Sequence, residues 1–302
     1  MSFVVATEKL TKKYGDRAVV QDLDLRIPEG SVYGFLGPNG SGKSTTMKML
    51  LSLIRPTSGH AEVLGQEMTR ATRRQLLGQI GSLIESPPGY AHLTGGENMR
   101  IVQRLLGLTD EQVDVAVQMV RMQNQMDKKV REFSLGMKQR LGIAMALARQ
   151  PKLLILDEPT NGLDPAGIEE VRGLLRRLAE GGVTVMVSSH LLEEIDKTAT
   201  VLGILSQGRM IFQGTRDQLF SAATPDVLID CTDPSQAHNV LTREFGTTLE
   251  NQSVLRLSGV DDGAIARAVA ALVGARIGVH GVRREEQSLE DVFMSLTAGG
   301  GL

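Results

Sequence analysis

The chain has 302 residues, of which 41% are hydrophobic, so it can bury the core of one large domain, or of one domain with a small appendage. Its 33 basic and 35 acidic residues give a net charge of -2, which argues against nucleic acid as a partner, because such proteins need a basic surface to neutralise phosphates. The single cysteine, Cys231, excludes an internal disulfide and is typical of a reducing compartment.

The first half of the chain has the pattern of an α/β body with a helical insertion. Up to about residue 58 the pattern predicts strand, strand, glycine-rich loop and helix, and GHAEVLGQ and QIGSLI are typical of further strands. From about residue 90 to 150, apolar residues three and four apart predict helices in ENMRIVQRLLGL, DEQVDVAVQMVRMQ and LGMKQRLGIAMALARQ. We interpret this region as an inserted helical subdomain.

The second half returns to buried strands and then changes composition. KLLILD and VTVMVSS predict buried strands, and between them lies a helix with Pro165 near its first turn and Gly181 at its end. After RMIFQGT, residues from about 222 predict strand, helix, strand, strand, helix, strand and a last helix, SLEDVFMSLT. We therefore predict a first domain over residues 1–220 and a small α+β domain over residues 221–302, for which a ferredoxin-like arrangement is one candidate.

Neither a signal peptide nor a membrane span is expected. The start of the chain is too polar for a signal peptide, and no stretch approaches the roughly 20 apolar residues that cross a bilayer. We expect a cytoplasmic chain whose membrane role needs a second polypeptide.

A carboxylate lies where a predicted strand ends. Glu85 follows the strand QIGSLI, and Pro87 and Pro88 after it can continue neither a strand nor a helix. Ligands of open α/β sheets bind at such strand ends. Glu85 is therefore a candidate functional residue, with a solvated surface carboxylate as the alternative.

The segment GPNGSGKST matches the glycine-rich phosphate-binding loop, and it lies between a strand and a helix as that motif requires. Its backbone amides and the following helix N-terminus favour an anion, Lys43 supplies a cation for the β- and γ-phosphates, and Ser44 offers a hydroxyl to magnesium. The alternative is a mere tight turn. The candidate nucleotide-binding residues of the loop are Gly37, Pro38, Asn39, Gly40, Ser41, Gly42, Lys43, Ser44 and Thr45.

Two carboxylates and a histidine follow buried strands at the same predicted sheet edge. In LLILDEPT, Asp157 is a candidate magnesium ligand and Glu158 a candidate base for the attacking water, since phosphoryl transfer depends on positioning and charge neutralisation. His190 ends the strand VTVMVSS. The alternatives are a solvated Asp-Glu pair and an ordinary histidine.

With these motifs in this order, the chain resembles the ATP-binding cassette family over about residues 3 to 220. The resemblance implies a RecA-like P-loop NTPase core with an antiparallel β subdomain, and ATP and magnesium as ligands. It implies that Tyr14 stacks on adenine and that Glu85 belongs to a switch loop at the metal. FSLGMKQ resembles the family signature, with Ser134 and Gly136, and NGLD resembles the dimer-contacting loop, with Asp164.

The resemblance also implies an assembly. Two such subunits would close head to tail on ATP, so that Ser134 and Gly136 of one subunit meet the γ-phosphate held by Lys43 of the other. His190 would contact that phosphate from the same side as Lys43. Integral-membrane permease subunits would convert the opening and closing of this dimer into transport, so the chain would lie at the inner face of the cell membrane. Lys43, Glu158 and His190 would be the catalytic residues.

Two departures from the family pattern stand out. The signature has Phe133, Leu135 and Met137 where leucine, glycine and glutamine are usual, and Glu85 stands where most cassettes have glutamine. Glu85, SLGMKQRLGIA and SLEDVFMSLT look most like the subgroup that exports lantibiotics, bacitracin and related drugs. A transport ATPase is therefore the leading hypothesis, and an ATP-driven clamp on DNA or ribosomes and a module that senses ATP without hydrolysis are the alternatives.

Overall fold

The computed structural model describes residues 2–85, 89–190, 198–222, 226–250, 254–285 and Val292. The chain forms two compact units, the first ending at Arg216 and the second beginning at Asp217. Within these ranges, no helix is long and apolar enough to cross a membrane.

The elements up to residue 83 are β1 (Phe3–Tyr14), β2 (Arg17–Leu23), β3 (Arg26–Pro28), β4 (Val32–Leu36), α1 (Lys43–Leu50), β5 (Ser58–Val63), β6 (Gln66–Glu67), α2 (Arg73–Leu77) and β7 (Ile80–Leu83). They continue with α3 (Gly95–Leu106), α4 (Asp110–Met119), α5 (Leu135–Leu147), β8 (Leu153–Leu156), α6 (Pro165–Glu180), β9 (Thr184–Ser189), β10 (Val201–Ser206), β11 (Arg209–Gly214) and α7 (Arg216–Ala222). The second unit adds β12 (Val227–Cys231), α8 (Pro234–Leu241), β13 (Thr247–Glu250), β14 (Val254–Leu257), α9 (Asp262–Gly274) and β15 (Val279–Arg284).

An antiparallel sheet forms one layer of the first unit. Its order is β2-β1-β5-β6, with β3 also paired to β1. The expectation of two strands before the glycine-rich loop is wrong, because four strands precede it. The three residues of β3 are too few to show an alternating pattern, and β3 forms because Ile27 is fully buried and pairs with Val5 of β1.

A six-stranded sheet in the order β11-β10-β4-β9-β8-β7 positions the candidate site. The pairs from β10 to β7 are parallel, and β11 is antiparallel to β10. Every residue of β4, β8 and β9 is buried, which explains why β4 and β8 are continuous apolar runs and why β9 has no exposed polar face. Because β4, β9 and β8 are neighbours, the segments that follow them begin at the same edge of the sheet. The predicted α/β class is confirmed.

The predicted helical insertion is present as α3, α4 and α5. Two of these helices begin with a capping box, in which Thr94 pairs with Glu97 and Thr109 pairs with Gln112. The hydrogen bond from the Thr94 amide lowers the pKa of Glu97. α6 also follows prediction, since Pro165 is its first residue and Gly181 its C-cap.

The second unit has a four-stranded antiparallel sheet in the order β13-β14-β12-β15, with α8 and α9 as its helices. Alternate residues of β12 and β14 meet both helices in one apolar core, which includes Ile229, Leu255, Leu241 and Leu272. The strand order and the βαββαβ sequence are those of the ferredoxin-like arrangement. The predicted last helix, SLEDVFMSLT, lies outside the described residues apart from Val292.

Candidate nucleotide-binding and hydrolysis site

The phosphate-binding loop begins at the end of β4 and leads into α1. Gly40 and Gly42 have φ values of 80° and 109°, which favour glycine. A Cβ on Gly37 would lie 2.3 Å from the carbonyl oxygen of Leu205, and one on Gly42 would lie 2.7 Å from that of Val19. The loop therefore packs so closely against its neighbours that side chains at these positions have no room.

Lys43, the first residue of α1, is 6% exposed. Its Nζ donates hydrogen bonds to the carbonyl oxygens of Gly37, at 2.6 Å, and Pro38, at 3.3 Å. Burial lowers the pKa of Lys43, while the carboxylates of Glu158 and Asp157 oppose that shift. The Glu158 carboxylate, 3.7 Å away, is already an anionic partner of this ammonium, and a phosphate would supply a second one.

Other groups of the loop also suit an anion. The hydroxyl of Ser41 is buried and has no hydrogen-bond partner among the described residues. Pro38, Asn39 and Gly40 are exposed at the tip of the loop, and Ser44 and Thr45, in the first turn of α1, are half-buried. A buried hydroxyl without a partner is costly unless a ligand or water satisfies it, so the loop fits a phosphate group.

The two carboxylates follow β8 directly. The amide of Asp157 donates to the carbonyl oxygen of Leu83 at 2.8 Å, which fixes this segment against the end of β7. Glu158 has φ 49°, in the left-handed region. Ser188 of β9 donates its hydroxyl hydrogen to Oδ1 of Asp157 at 2.6 Å, and its Oγ accepts the amide hydrogen of Glu158 at 2.9 Å.

Glu158 lies between two cationic or proton-donating groups. Its Oε1 is 3.7 Å from Nζ of Lys43, and its Oε2 is hydrogen-bonded to Nδ1 of His190. An ionised carboxylate only accepts hydrogen bonds, so Nδ1 of His190 carries the proton of this contact. Lys43, Glu158 and His190 thus form one cluster at the sheet edge.

Glu85 lies two residues beyond β7 and has φ 68°. Its carboxylate forms an ion pair with the ammonium of Lys48, in α1. The strand end is therefore connected to the helix that begins with Lys43. Pro87 and Pro88, which follow Glu85 in the sequence, lie outside the described residues.

The signature segment and the NGLD loop are in contact within the chain. Ser134 is the N-cap of α5 and accepts the amide hydrogen of Met137, and Asp164 caps α6 in the same way. A Cβ on Gly162 would lie 2.6 Å from Leu135, and one on Gly136 would lie 3.5 Å from Leu163. The NGLD loop also contacts the cluster around Lys43, because the amide of Asn161 donates to the carbonyl oxygen of Glu158 at 3.1 Å.

Tyr14, the last residue of β1, has an exposed ring. The ammonium of Lys12 lies 4.9 Å from its ring centroid. An exposed ring of this kind is available for stacking by a planar base.

Two residues with direct roles in this geometry were missed by sequence reasoning. Ser188 is the second residue before His190, in a buried strand next to the strand that ends at the carboxylates. A polar residue at the end of a buried strand, next to the carboxylates, could have identified Ser188 as a candidate site residue. Lys48 is 37 residues from Glu85 and had no signal of its own.

Comparison with known proteins gives consistent similarities. A family model described as ABC transporter matches residues 20–161. A bacitracin transport ATP-binding protein of Bacillus licheniformis is 38% identical over 305 residues, covering 99% of this chain and 99% of its own. A lantibiotic transport ATP-binding protein of Streptococcus pyogenes is 43% identical over 210 residues, covering 70% of this chain and 90% of its own.

The fold is similar to that of solved ATP-binding cassettes. A dimeric structure of such a cassette, in a post-hydrolysis state bound to ADP and Pi, matches with a TM-score of 0.63 and 25% identity. The match covers 70% of this chain and 98% of that one. This likeness confirms the predicted RecA-like P-loop core.

Proposed function

The chain belongs to the ABC transporter family and is an ATPase, and from this premise we propose that it powers the export of a peptide antibiotic or a drug-like compound through separate permease subunits. The observation that carries the ATPase role in this molecule is the Glu158 carboxylate between Lys43 and His190. The proposed cargo class is supported by the transport names of the relatives.

An ATP-driven clamp on a non-transport partner is the second candidate, and it is not favoured. The bacitracin transport protein matches this chain over 99% of its length, which includes the second unit. Nucleic acid also remains a poor partner for a chain with a net charge of -2.

ATP would bind with its phosphates in the glycine-rich loop. The loop amides and the N-terminus of α1 would donate to phosphate oxygens, and Lys43 would exchange its carbonyl contacts for the β- and γ-phosphates. Tyr14 would stack on the adenine. The buried hydroxyl of Ser41 and the lowered pKa of Lys43 support this placement.

The oxygen donors at the site fit magnesium. Ser44, Asp157 and Glu85 would hold it, because hydroxyl and carboxylate oxygens are the ligands that this hard cation prefers. No cluster of three or more His, Cys, Asp or Glu side chains forms a metal cage in the described ranges. Magnesium is usually held by one or two carboxylates, here those of Asp157 and Glu85, and completes its shell with phosphates and water. When bound, the ion would neutralise charge on the phosphates.

Hydrolysis would use the cluster around Glu158. A water molecule would attack the γ-phosphorus in line with the leaving ADP oxygen, and Glu158 would accept a proton from that water. His190 would orient the Glu158 carboxylate through the hydrogen bond from Nδ1 and would also contact the γ-phosphate. Lys43 would counter the negative charge of the same phosphate.

Two copies of the chain would form the closed ATP-bound state. Ser134 and Gly136, at the N-terminus of α5, would meet the γ-phosphate bound by the partner copy, because exposed amides at a helix N-terminus bind anions. Asp164 would lie in the loop between the copies. The dimeric form of the similar cassette bound to ADP and Pi supports this proposal.

The proposed domains are an ATPase domain over residues 1–220, with its helical subdomain at about 90–150, and an accessory domain over residues 221–302. The chain would lie in the cytoplasm on the inner face of the cell membrane, held there by its permease subunits. The transport names of its relatives support this location.

The first test of this function uses the cluster residues. In Glu158→Gln the base is lost and the shape kept, so turnover should fall by about 100-fold or more, while ATP still binds and a dimer accumulates in size-exclusion runs with ATP. Lys43→Ala should lose ATP binding in calorimetry. The exposed Glu180→Gln is the matched control. Unchanged turnover in Glu158→Gln would refute the catalytic assignment.

The second test addresses the cargo. The chain is co-expressed with its permease subunits, and resistance to bacitracin, a lantibiotic and an anthracycline is compared between the parent and Glu158→Gln. Resistance to at least one compound in the parent alone is the expected result. If the parent hydrolyses ATP but protects against none of them and no membrane polypeptide co-purifies with it, the export proposal is wrong.

A further inference from the structure

We propose that Ser188 is a positioning residue of the hydrolysis site, whose one hydroxyl fixes both the Asp157 carboxylate and the Glu158 backbone. The inference rests on the proposed function, because it takes Asp157 as a magnesium ligand and Glu158 as the base. It adds a residue to that site which neither the phosphate-loop motif nor the carboxylate pair identifies.

The hydrogen-bond inventory of the three groups allows only one arrangement. An ionised carboxylate can only accept, and a backbone amide can only donate. The Ser188 hydroxyl has one hydrogen, which it gives to Oδ1 of Asp157, and its lone pair accepts from the amide of Glu158. The hydroxyl therefore connects the side chain of Asp157 to the backbone of Glu158.

The backbone of Glu158 explains why such a connection is needed. In a regular strand Asp157 and Glu158 would point to opposite faces, yet both carboxylates lie near enough to Lys43 to act on its pKa. The left-handed φ of 49° at Glu158 breaks the alternation. A non-glycine residue keeps this conformation only where its surroundings favour it, and the hydrogen bond to Ser188 is one such contact.

The surroundings make the contact hard to replace. Ser188 is fully buried in β9, where it pairs with Phe35 of β4 on one side while β8 lies on the other. Without the hydroxyl, the Glu158 amide and one oxygen of the buried Asp157 would lose their partner where water is scarce. We expect the Asp157 carboxylate to rotate and the Glu158 side chain to shift, so that metal affinity falls and the base is no longer correctly oriented toward the attacking water.

The test compares Ser188→Ala with Ser188→Thr, which keeps the hydroxyl, and with Thr184→Val. Thr184 is at the other end of β9, is fully buried, and accepts the amide hydrogen of Gly30 through its hydroxyl. Thr184→Val therefore controls for the loss of a buried hydroxyl in the same strand, away from the site.

Three quantities are measured for each protein. The first is the ATP affinity without divalent metal. The second is the Mn²⁺ affinity in the presence of a non-hydrolysable ATP analogue, measured by electron paramagnetic resonance. The third is kcat. We expect Ser188→Ala to keep metal-free ATP affinity within about two-fold of the parent. Its Mn²⁺ binding should weaken by about 10-fold, because losing the hydrogen-bond partner of a metal ligand usually has an effect of that size. Its kcat should fall by at least the same factor.

Ser188→Thr should recover most of both effects, and Thr184→Val should show neither. If Ser188→Ala is unfolded, Ser188→Cys takes its place, because a thiol keeps the approximate shape with much weaker hydrogen bonds. Mn²⁺ affinity and kcat equal to those of Thr184→Val would overturn the role of Ser188, provided that the parent and Glu158→Gln behave as proposed. A parent without ATP turnover would instead overturn the proposed function.

Discussion

Lys48 and Glu85 form an ion pair that connects α1 to the end of β7. The Lys48 side chain is 30% exposed and that of Glu85 is 67% exposed. A pair so open to water contributes only about 0–1 kcal/mol. The contact is therefore weak enough to exchange when a stronger partner for either charge arrives, and the helix that begins at Lys43 would take part in that exchange.

The first prediction concerns this pair. We expect Glu85→Gln to leave ATP binding within a few-fold in the isolated chain, and to alter partner-stimulated hydrolysis or export in the assembled transporter. Glutamine has both an acceptor and a donor, whereas ionised glutamate only accepts and adds a charge. Lys48→Gln removes the other charge of the ion pair, so it should also change partner-stimulated hydrolysis or export. If Glu85→Gln and Glu85→Ala both transport like the parent at matched expression, Glu85 is only a surface charge.

The second prediction concerns the pH dependence of ATP affinity. Burial lowers the pKa of Lys43 below its ordinary value of 10.5, and Glu158 is the largest influence in the opposite direction. Deprotonated Lys43 no longer attracts phosphates, so affinity should fall as pH rises, beginning below pH 10.5. In Glu158→Gln the fall should begin at lower pH still. Calorimetry without metal measures both profiles, and superimposable profiles would contradict the coupling of these two residues.

The third prediction concerns core packing. A Cβ on Gly203 of β10 would lie 2.0 Å from the hydroxyl oxygen of Tyr33, which is fully buried and donates to Gln213. Gly203→Ala should therefore destabilise the protein by about 1–3 kcal/mol, the usual cost of overpacking. The denaturation midpoint followed by circular dichroism measures this. Gly246→Ala is the control, since a Cβ there meets nothing within 4 Å; equal midpoints for the two variants would refute the argument.

The fourth prediction concerns the thiol of Cys231. Burial raises the pKa of this thiol, a hydrogen bond with the backbone of Asp233 partly opposes that shift, and the carboxylates of Asp233 and Asp230 add to it, so the reactive thiolate is scarce at neutral pH. Modification by a disulfide reagent should be slow in the native protein and complete, at one thiol per chain, in denaturant. A native rate equal to that of the unfolded chain would show that the core around Cys231 is open to solvent.

The strands that form the nucleotide site were predictable because burial on both faces gives them apolar segments that do not alternate with exposed polar residues. LLILD and VTVMVSS could be assigned without any partner strand, and the ends of these two strands predicted that Asp157, Glu158 and His190 lie at one edge of the sheet. The order of elements in the second unit was also predictable, since the strand, helix, strand, strand, helix, strand pattern expected from about residue 222 is the order that the structure has.

The interactions between distant residues could not be predicted in the same way. β3 exists only because it pairs with β1, and its three residues have no pattern of their own. The left-handed backbone of Glu158 and its hydrogen bond to Ser188 join residues 30 positions apart. Such contacts depend on which strands are neighbours, and a local pattern contains no information about that.

The exposed ring of Tyr14 has an optical consequence. The chain contains no tryptophan and only three tyrosines, so a Tyr14→Trp variant would have a single indole, located where the adenine would stack. Its emission would report nucleotide arrival and departure without a labelled ligand. The same substitution at Tyr90, another exposed tyrosine, would give a reference signal from the helical subdomain. Binding and release could then be timed separately from hydrolysis in a stopped-flow experiment.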